Sequence, residues 1–298
     1  MIENHGLYRL AKQHFPQSLR NQVRSSARSV FDCYAGIRGL SANRATPDFL
    51  IVGAQKAGTT SLFNWLVESG FVDTPLIKEV GYFDTRWHRP VKYRGYFNAR
   101  QNGRLVGEAT PSYLAFPEVA GRVAAELGTD CKIIMVLREP VSRAVSHYFH
   151  ERRLGFEKRD MYTAMTEEAG LIEEAFDLST SAARRKYILT HCSYIYRSMY
   201  SERIRPWLDH FDIDNLHLIK SEHMFENPGD TVHGVADFLS VEVTSKTHFL
   251  PKNTNSYEFK DDRVAEFLKT RLDEETALYN NWTYLEPSDS IRQKAFAA

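Results

Sequence analysis

Short apolar runs alternate along the chain with longer stretches whose apolar residues recur at helical spacing. "DFLIVGA" (48–54) is a brief apolar run ending near a glycine, the pattern of a strand buried on both faces. "TTSLFNWLVESG" (59–70) follows with helical spacing, a threonine N-cap and a terminal glycine. "RLVGEATPSYL" (104–114) reads as a strand broken by Pro111, and "CKIIMVLREP" (131–140) as the central strand. The next segment, "VSRAVSHYFHERRLG", is helical; "LHLIKSE" (216–222) is a later strand and "DTVHGVADFLS" (230–240) a helix. Strands alternating with helices over short connections predict an α/β fold, a single domain with a central, mainly parallel sheet flanked by helices. Ligands of such sheets collect at the carboxyl ends of the strands, which puts the 53–60 loop and Arg138 on one edge.

The first 47 residues differ in character. Positive charge predominates, and apolar residues such as Leu7, Leu10, Phe15 and Leu19 suit short helices packed on the domain. A basic surface helix that touches a membrane or a partner is the other reading. The division expected is therefore a basic helical segment, 1–47, and one domain, 48–298, without repeats or a low-complexity linker. Lys+Arg and Asp+Glu both number 38, so nothing global points to nucleic acid. Cys33, Cys131 and Cys192 are far apart and lack metal-ligand spacing, which suggests reduced thiols and a cytoplasmic location. No apolar stretch approaches the roughly 20 residues of a membrane span, and the N-terminus has no signal-peptide apolar core.

The chemistry starts at "IVGAQKAGTTSL". Gly53 and Gly58 have the spacing of a Walker A loop, but Thr59 stands where that loop has its lysine, and Lys56 lies inside the loop instead. Backbone N–H groups from Ala57 to Thr60 at a helix N-terminus form an anion site, with Lys56 and the Thr59 and Thr60 hydroxyls adding charge and donors. A glycine-rich turn without a ligand is the plain alternative. "LREPVSRAVSHY" (137–148) ends a strand with Arg138 and carries Ser146 eight residues on, both able to grip one phosphate. An ATPase would usually place a metal-binding aspartate at such a strand end; no acid precedes Glu139 here. Two cationic points and no evident metal ligand suit a ligand with two separated phosphates, not a magnesium nucleoside triphosphate.

These two motifs resemble the 5′- and 3′-phosphate-binding motifs of sulfotransferases that use 3′-phosphoadenosine 5′-phosphosulfate. The resemblance is closest to the heparan-sulfate branch and its bacterial relatives. It continues in order through "KEVGYFD" (78–84), "GEATPSYL" (107–114), "YRSMYSERIRPWLDHF" (196–211) and "SEHMFENP" (221–228). It implies that Gln55, Lys56, Ala57, Gly58, Thr59 and Thr60 hold the 5′-phosphosulfate end of the donor. Arg138 and Ser146 would hold the 3′-phosphate, with Ser256 and Tyr257 in a loop (252–259) that closes over it. Glu79 would be the catalytic base and Lys56 would stabilise the leaving phosphate; the nucleotide product is adenosine 3′,5′-bisphosphate, and no metal is implied. Two positions depart from the family: Thr254-Asn255 replaces a basic-glycine pair, and Ala109 replaces the lysine of "GEKTP". From the residues alone, Glu79 is better read as a surface partner of Lys78 or Arg86, and His147 and His150 are rival bases.

The acceptor is argued from charge. Zero formal net charge is unlike a protein with a polyanion cleft, and "FEKRDMYTAMTEEAGLIEEAFDL" (156–178) is acidic. If that segment borders the acceptor, a small neutral or cationic metabolite is expected, such as an alkaloid or amine. A carbohydrate or glycolipid comes second. A nucleotide kinase or NTPase and a non-catalytic binding module are the readings from other classes. Neither a nucleic-acid partner nor a transmembrane segment is expected, while a homo-oligomer fits the sequence.

Overall fold

The computed structural model describes residues 17–41, 43–84, 88–100, 103–245, 248–250 and 260–281, with side chains from residue 27 onward. A five-stranded sheet forms the centre: β1 (Phe49–Gly53), β2 (Val72–Asp73), β3 (Leu105–Ala109), β4 (Lys132–Leu137) and β5 (Leu216–Lys220). Its order is β2-β3-β1-β4-β5, and every pair is parallel. The continuous apolar runs have a direct cause. All of β1 is buried, as is β4 after its first residue, because helices cover both faces of the sheet. β2 is only two residues long, too short to leave a periodic pattern in the sequence.

The chain leaves β1 toward β3 and β2 on one side, then crosses to β4 and β5 on the other. The crevice between the carboxyl ends of β1 and β4 is therefore the topological switch point of the sheet. α2 (Thr59–Glu68) follows β1, and α5 (Pro140–Leu154) follows β4. The sequence suggests a threonine cap for α2, but the N-cap position belongs to Gly58, at φ 99° and without a side-chain cap. Glycine is required there: an added Cβ would lie 2.6 Å from Met224 Cε. α5 begins at Pro140, and the Glu139 carboxylate caps it by accepting from the N–H groups of Val141 (2.9 Å) and Ser142 (2.7 Å).

Residues 17–38 of the N-terminal segment form one helix, α1 (Gln17–Arg38); Leu7, Leu10 and Phe15 lie outside the described residues. α1 packs against α3 (Pro90–Arg94) through a close backbone approach, where a Cβ on Gly95 would lie 1.7 Å from the Ala35 carbonyl oxygen. Asp32 fastens the same face: it receives a hydrogen bond from Tyr96 and pairs with Lys92 at 3.1 Å. Among the described residues no helix is long and apolar enough to cross a membrane.

The acidic stretch folds into α6 (Met161–Thr166) and α7 (Glu168–Phe176), followed by α8 (Ala182–His191). Most of its acids serve these helices. Asp160 caps α6 at Thr163 N, and Glu157 and Glu167 both pair with Arg159. Glu174 pairs with Arg184, and Asp177 accepts from Ser179. Glu168 is buried and accepts from the N–H groups of Ile195 and Tyr196, each at 2.7 Å. Burial raises its pKa to about 7, against the pull of those two bonds.

Candidate active site

The β1–α2 loop brings Lys56 to the crevice between β1 and β4. Its backbone has φ 74°, a left-handed conformation that a residue with a side chain adopts at a cost. Arg138, at the end of β4, donates through Nη1 to the Lys56 carbonyl (3.4 Å), so the two residues share one edge as the strand pattern requires. The Arg138 backbone is fixed in turn by Tyr200, whose hydroxyl donates to Arg138 O at 2.8 Å. Burial and then the positive charges of Arg153 and Arg138 pull the Lys56 ammonium down to about 8.

The loop amides differ in one respect from the sequence expectation. The Ala57 N–H donates to Ala54 O (3.1 Å) and is committed to the turn. The amides of Gly58, Thr59 and Thr60 open α2, where no preceding helical carbonyl exists to accept from them. An anion at this end would take those donors and complement the helix dipole. Gln55 is oriented by Arg197, whose Nη1 donates to Gln55 Oε1. Nothing local in the sequence marks Arg197 for this role, since it stands 142 positions away.

Glu79 enters from the segment after β2. Lys78 donates to Thr60 Oγ1 at 2.7 Å and lies 3.2 Å from Glu79 Oε1, so one lysine bridges the phosphate-type loop and the carboxylate. The Glu79 side chain is 58% exposed, open to a substrate. The backbone on either side is pinned by the "GEATPSYL" motif. Thr110 Oγ1 accepts from Gly81 N (3.3 Å), Tyr113 Oη accepts from Tyr82 N (2.8 Å), and Ser112 donates to Asp84 (2.7 Å). Below them Glu108 is fully buried and accepts from Tyr93, Thr110 and Tyr113 at 2.6–2.7 Å. Burial keeps its pKa raised despite those bonds. Arg28 of α1 completes the frame: Nη1 donates to Glu79 O at 2.6 Å, and Nη2 to Val80 O. Periodicity could not have found Arg28, because its partners lie 51 and 52 positions ahead.

The rival bases separate clearly. His147 is fully buried in α5, and its Nε2 donates to Thr190 O (3.2 Å), with Glu151 at 3.4 Å. Burial holds its pKa down at about 3, so the Glu151 contact is a hydrogen bond to a neutral ring rather than an ion pair. Its Nδ1 is sealed from solvent and from substrate. His150 sits nearer the site: burial, then the Lys56 charge, lowers its pKa to about 4, while the Glu79 charge opposes this. Its Nδ1 accepts from Arg153 Nη2 (3.1 Å), which occupies the lone pair a base would use.

Ser146 is buried on α5 two turns beyond Arg138, and Ala109 is fully buried at the end of β3. Ser256, Tyr257 and the Thr254-Asn255 pair lie outside the described residues. No cluster with metal-holding composition occurs among the described residues.

An α/β sheet with an anion-receptive strand–loop–helix at its switch point, a lysine inside that loop and an arginine ending the neighbouring strand defines the class. The chain belongs to the sulfotransferase domain family, whose model matches residues 46–284. It is 27% identical over 223 residues to mouse heparan sulfate glucosamine 3-O-sulfotransferase 3B1, covering 72% of this chain and 52% of that protein. It is also 27% identical over 226 residues to human bifunctional heparan sulfate N-deacetylase/N-sulfotransferase 2, covering 73% of this chain and 24% of that one. The crystal structure of a sulfotransferase from Alicyclobacillus acidocaldarius superposes with a TM-score of 0.63 at 25% identity, covering 80% of this chain and 98% of the other. The chain spans about half the length of the first of these curated relatives.

Proposed function

We propose that this chain transfers a sulfuryl group from 3′-phosphoadenosine 5′-phosphosulfate to a hydroxyl or amino group of a carbohydrate. The observation that carries the reading is Lys78, which joins the α2 N-terminus at Thr60 to the Glu79 carboxylate within 2.7 and 3.2 Å. A donor held by the loop then presents its sulfur beside a group able to take a proton. The loop amides and Lys56 stabilise negative charge on the phosphate that leaves. Glu79 accepts the proton of the acceptor as its oxygen or nitrogen attacks. Arg138 and Ser146 contact the 3′-phosphate. A kinase-type reading loses its support at Thr59, which occupies the position of the Walker lysine, and at Glu139, whose carboxylate is used as a helix cap.

The carbohydrate acceptor is supported by relatives named for acting on heparan sulfate glucosamine. The small cationic metabolite becomes the second reading, because the acids of residues 156–178 that suggested it are mostly bonded to neighbouring arginines, amides and hydroxyls. Incubation with sulfur-labelled donor tests both. Label is expected on a desulfated glucosamine-containing oligosaccharide, in preference to a panel of amines and phenols. Preferential labelling of the amines would reverse the order of acceptors. Failure to label any hydroxyl or amine, with donor still bound, would refute the transfer.

A further inference from the structure

We infer, on the reading of Glu79 as the base, that Arg28 is its positioning residue and that turnover depends on a helix outside the matched domain. α1 (Gln17–Arg38) ends before the region that the family model matches, 46–284. Its Arg28 nevertheless reaches the segment that carries the carboxylate. Nη1 donates to Glu79 O at 2.6 Å, and Nη2 donates to the next carbonyl, Val80 O. Residues 79–82 belong to no helix or strand, so no regular ladder sets the planes of their peptides. Arg28 supplies that constraint. The Val80–Gly81 peptide is gripped at both ends, its carbonyl by Arg28 and its N–H by Thr110 Oγ1 at 3.3 Å. The Glu79 side chain is exposed, and a carboxylate in that setting takes its aim from the backbone rather than from packing.

The guanidinium is prepared for this task. Asp32, one helical turn on, pairs with Arg28 Nε at 3.3 Å and leaves both Nη groups for the carbonyls. Asp32 is anchored in turn by Lys92 at 3.1 Å and by the Tyr96 hydroxyl. The Tyr96 ring lies beside the guanidinium, its centroid 5.8 Å from Arg28 Cζ. A planar fork with fixed donors suits two consecutive carbonyls, whereas an ammonium on a flexible stem is a point charge. Bonds from a charged donor are also among the stronger hydrogen bonds. Arg38 of the same helix is used elsewhere: its Nη2 donates to Asn98 Oδ1 at 2.6 Å and to Phe97 O at 3.3 Å.

Turnover of the full chain with sulfur-labelled donor and a desulfated glucosamine-containing oligosaccharide tests the role of Arg28. Arg28→Ala should lower kcat by about 10- to 100-fold, the scale of loss when a reacting group is displaced by around an ångström. Affinity for adenosine 3′,5′-bisphosphate, read by calorimetry, should not change, because the phosphates are assigned to the loop and to Arg138. A double-mutant cycle separates positioning from general destabilisation. In a Glu79→Gln background Arg28→Ala should cost little further turnover, since the group it aims is already lost. Arg38→Ala loosens the same helix away from Glu79 and should leave kcat near the wild-type value. Arg28→Lys keeps the charge beside Asp32 and serves if Arg28→Ala does not fold; it should lose part of kcat with the same coupling to Glu79. Normal turnover in both Arg28 variants, an equal loss in the Glu79→Gln background, or an equal loss from Arg38→Ala would overturn the positioning role and leave Glu79 as the base. A fully active Glu79→Gln protein would remove the base, and the positioning role with it.

Discussion

Glu79→Gln is expected to lower turnover by roughly 10²–10⁴-fold, the usual worth of a positioned general base. The substitution keeps the shape of the side chain and one oxygen for Lys78, so the bridge to Thr60 is retained while the basic carboxylate is lost. Affinity for adenosine 3′,5′-bisphosphate should barely change, because the phosphates are assigned to the loop and to Arg138. His150→Ala is the informative companion. Its ring nitrogen is held by Arg153, so its removal should cost far less turnover than Glu79→Gln. Steady-state kinetics on one hydroxyl acceptor, with folding followed by circular dichroism, makes the comparison. Near-normal turnover in a folded Glu79→Gln protein would remove the glutamate from its role.

Lys56→Ala has the second large effect and a different signature. In the proposed mechanism the ammonium serves both the bound donor and the charge that develops on the leaving phosphate, so donor affinity and turnover should both fall. Loss of one preorganised donor of this kind costs about 10²–10³-fold in turnover. Its depressed pKa adds a pH dependence whose sign is fixed. Below about 8 the side chain is charged; above it, binding of the anionic donor is coupled to uptake of a proton from solvent by Lys56, so donor affinity should decline as pH rises through that value. Lys56→Arg keeps the charge throughout and should flatten the decline. A wild-type binding curve that is level between pH 7 and about 9.5 would contradict a lysine held near 8.

Fold and site were legible to different depths. β1 and β4 announce themselves because strands covered on both faces must be apolar throughout. The loop between Gly53 and Gly58 and Arg138 at a strand end were placed on one sheet edge by the sequence, and the structure brings them together there. Glu79 is different: its local sequence reads better as a surface ion pair, and only the family resemblance selects it. What singles it out physically is the frame around its backbone, built by Arg28, Thr110 and Tyr113. Such contacts join residues tens of positions apart, and no periodic pattern encodes them. The acidic stretch at 156–178 says less about the acceptor than its composition suggests, for the opposite reason. Composition reports charge but not partners, and the partners here include Arg184 and the backbone at 195–196.

The central claim is a donor with phosphates at both the 3′ and 5′ positions, and calorimetry on the wild type and Arg138→Ala tests it most directly. The wild type should bind adenosine 3′,5′-bisphosphate more tightly than 5′-AMP by about 1.5–3 kcal/mol, the worth of a charge-assisted contact, or roughly 10- to 150-fold. Arg138→Ala should lose most of that preference while binding 5′-AMP almost as before. Equal affinity of the wild type for the two nucleotides, or a preference that survives in Arg138→Ala, would contradict the account.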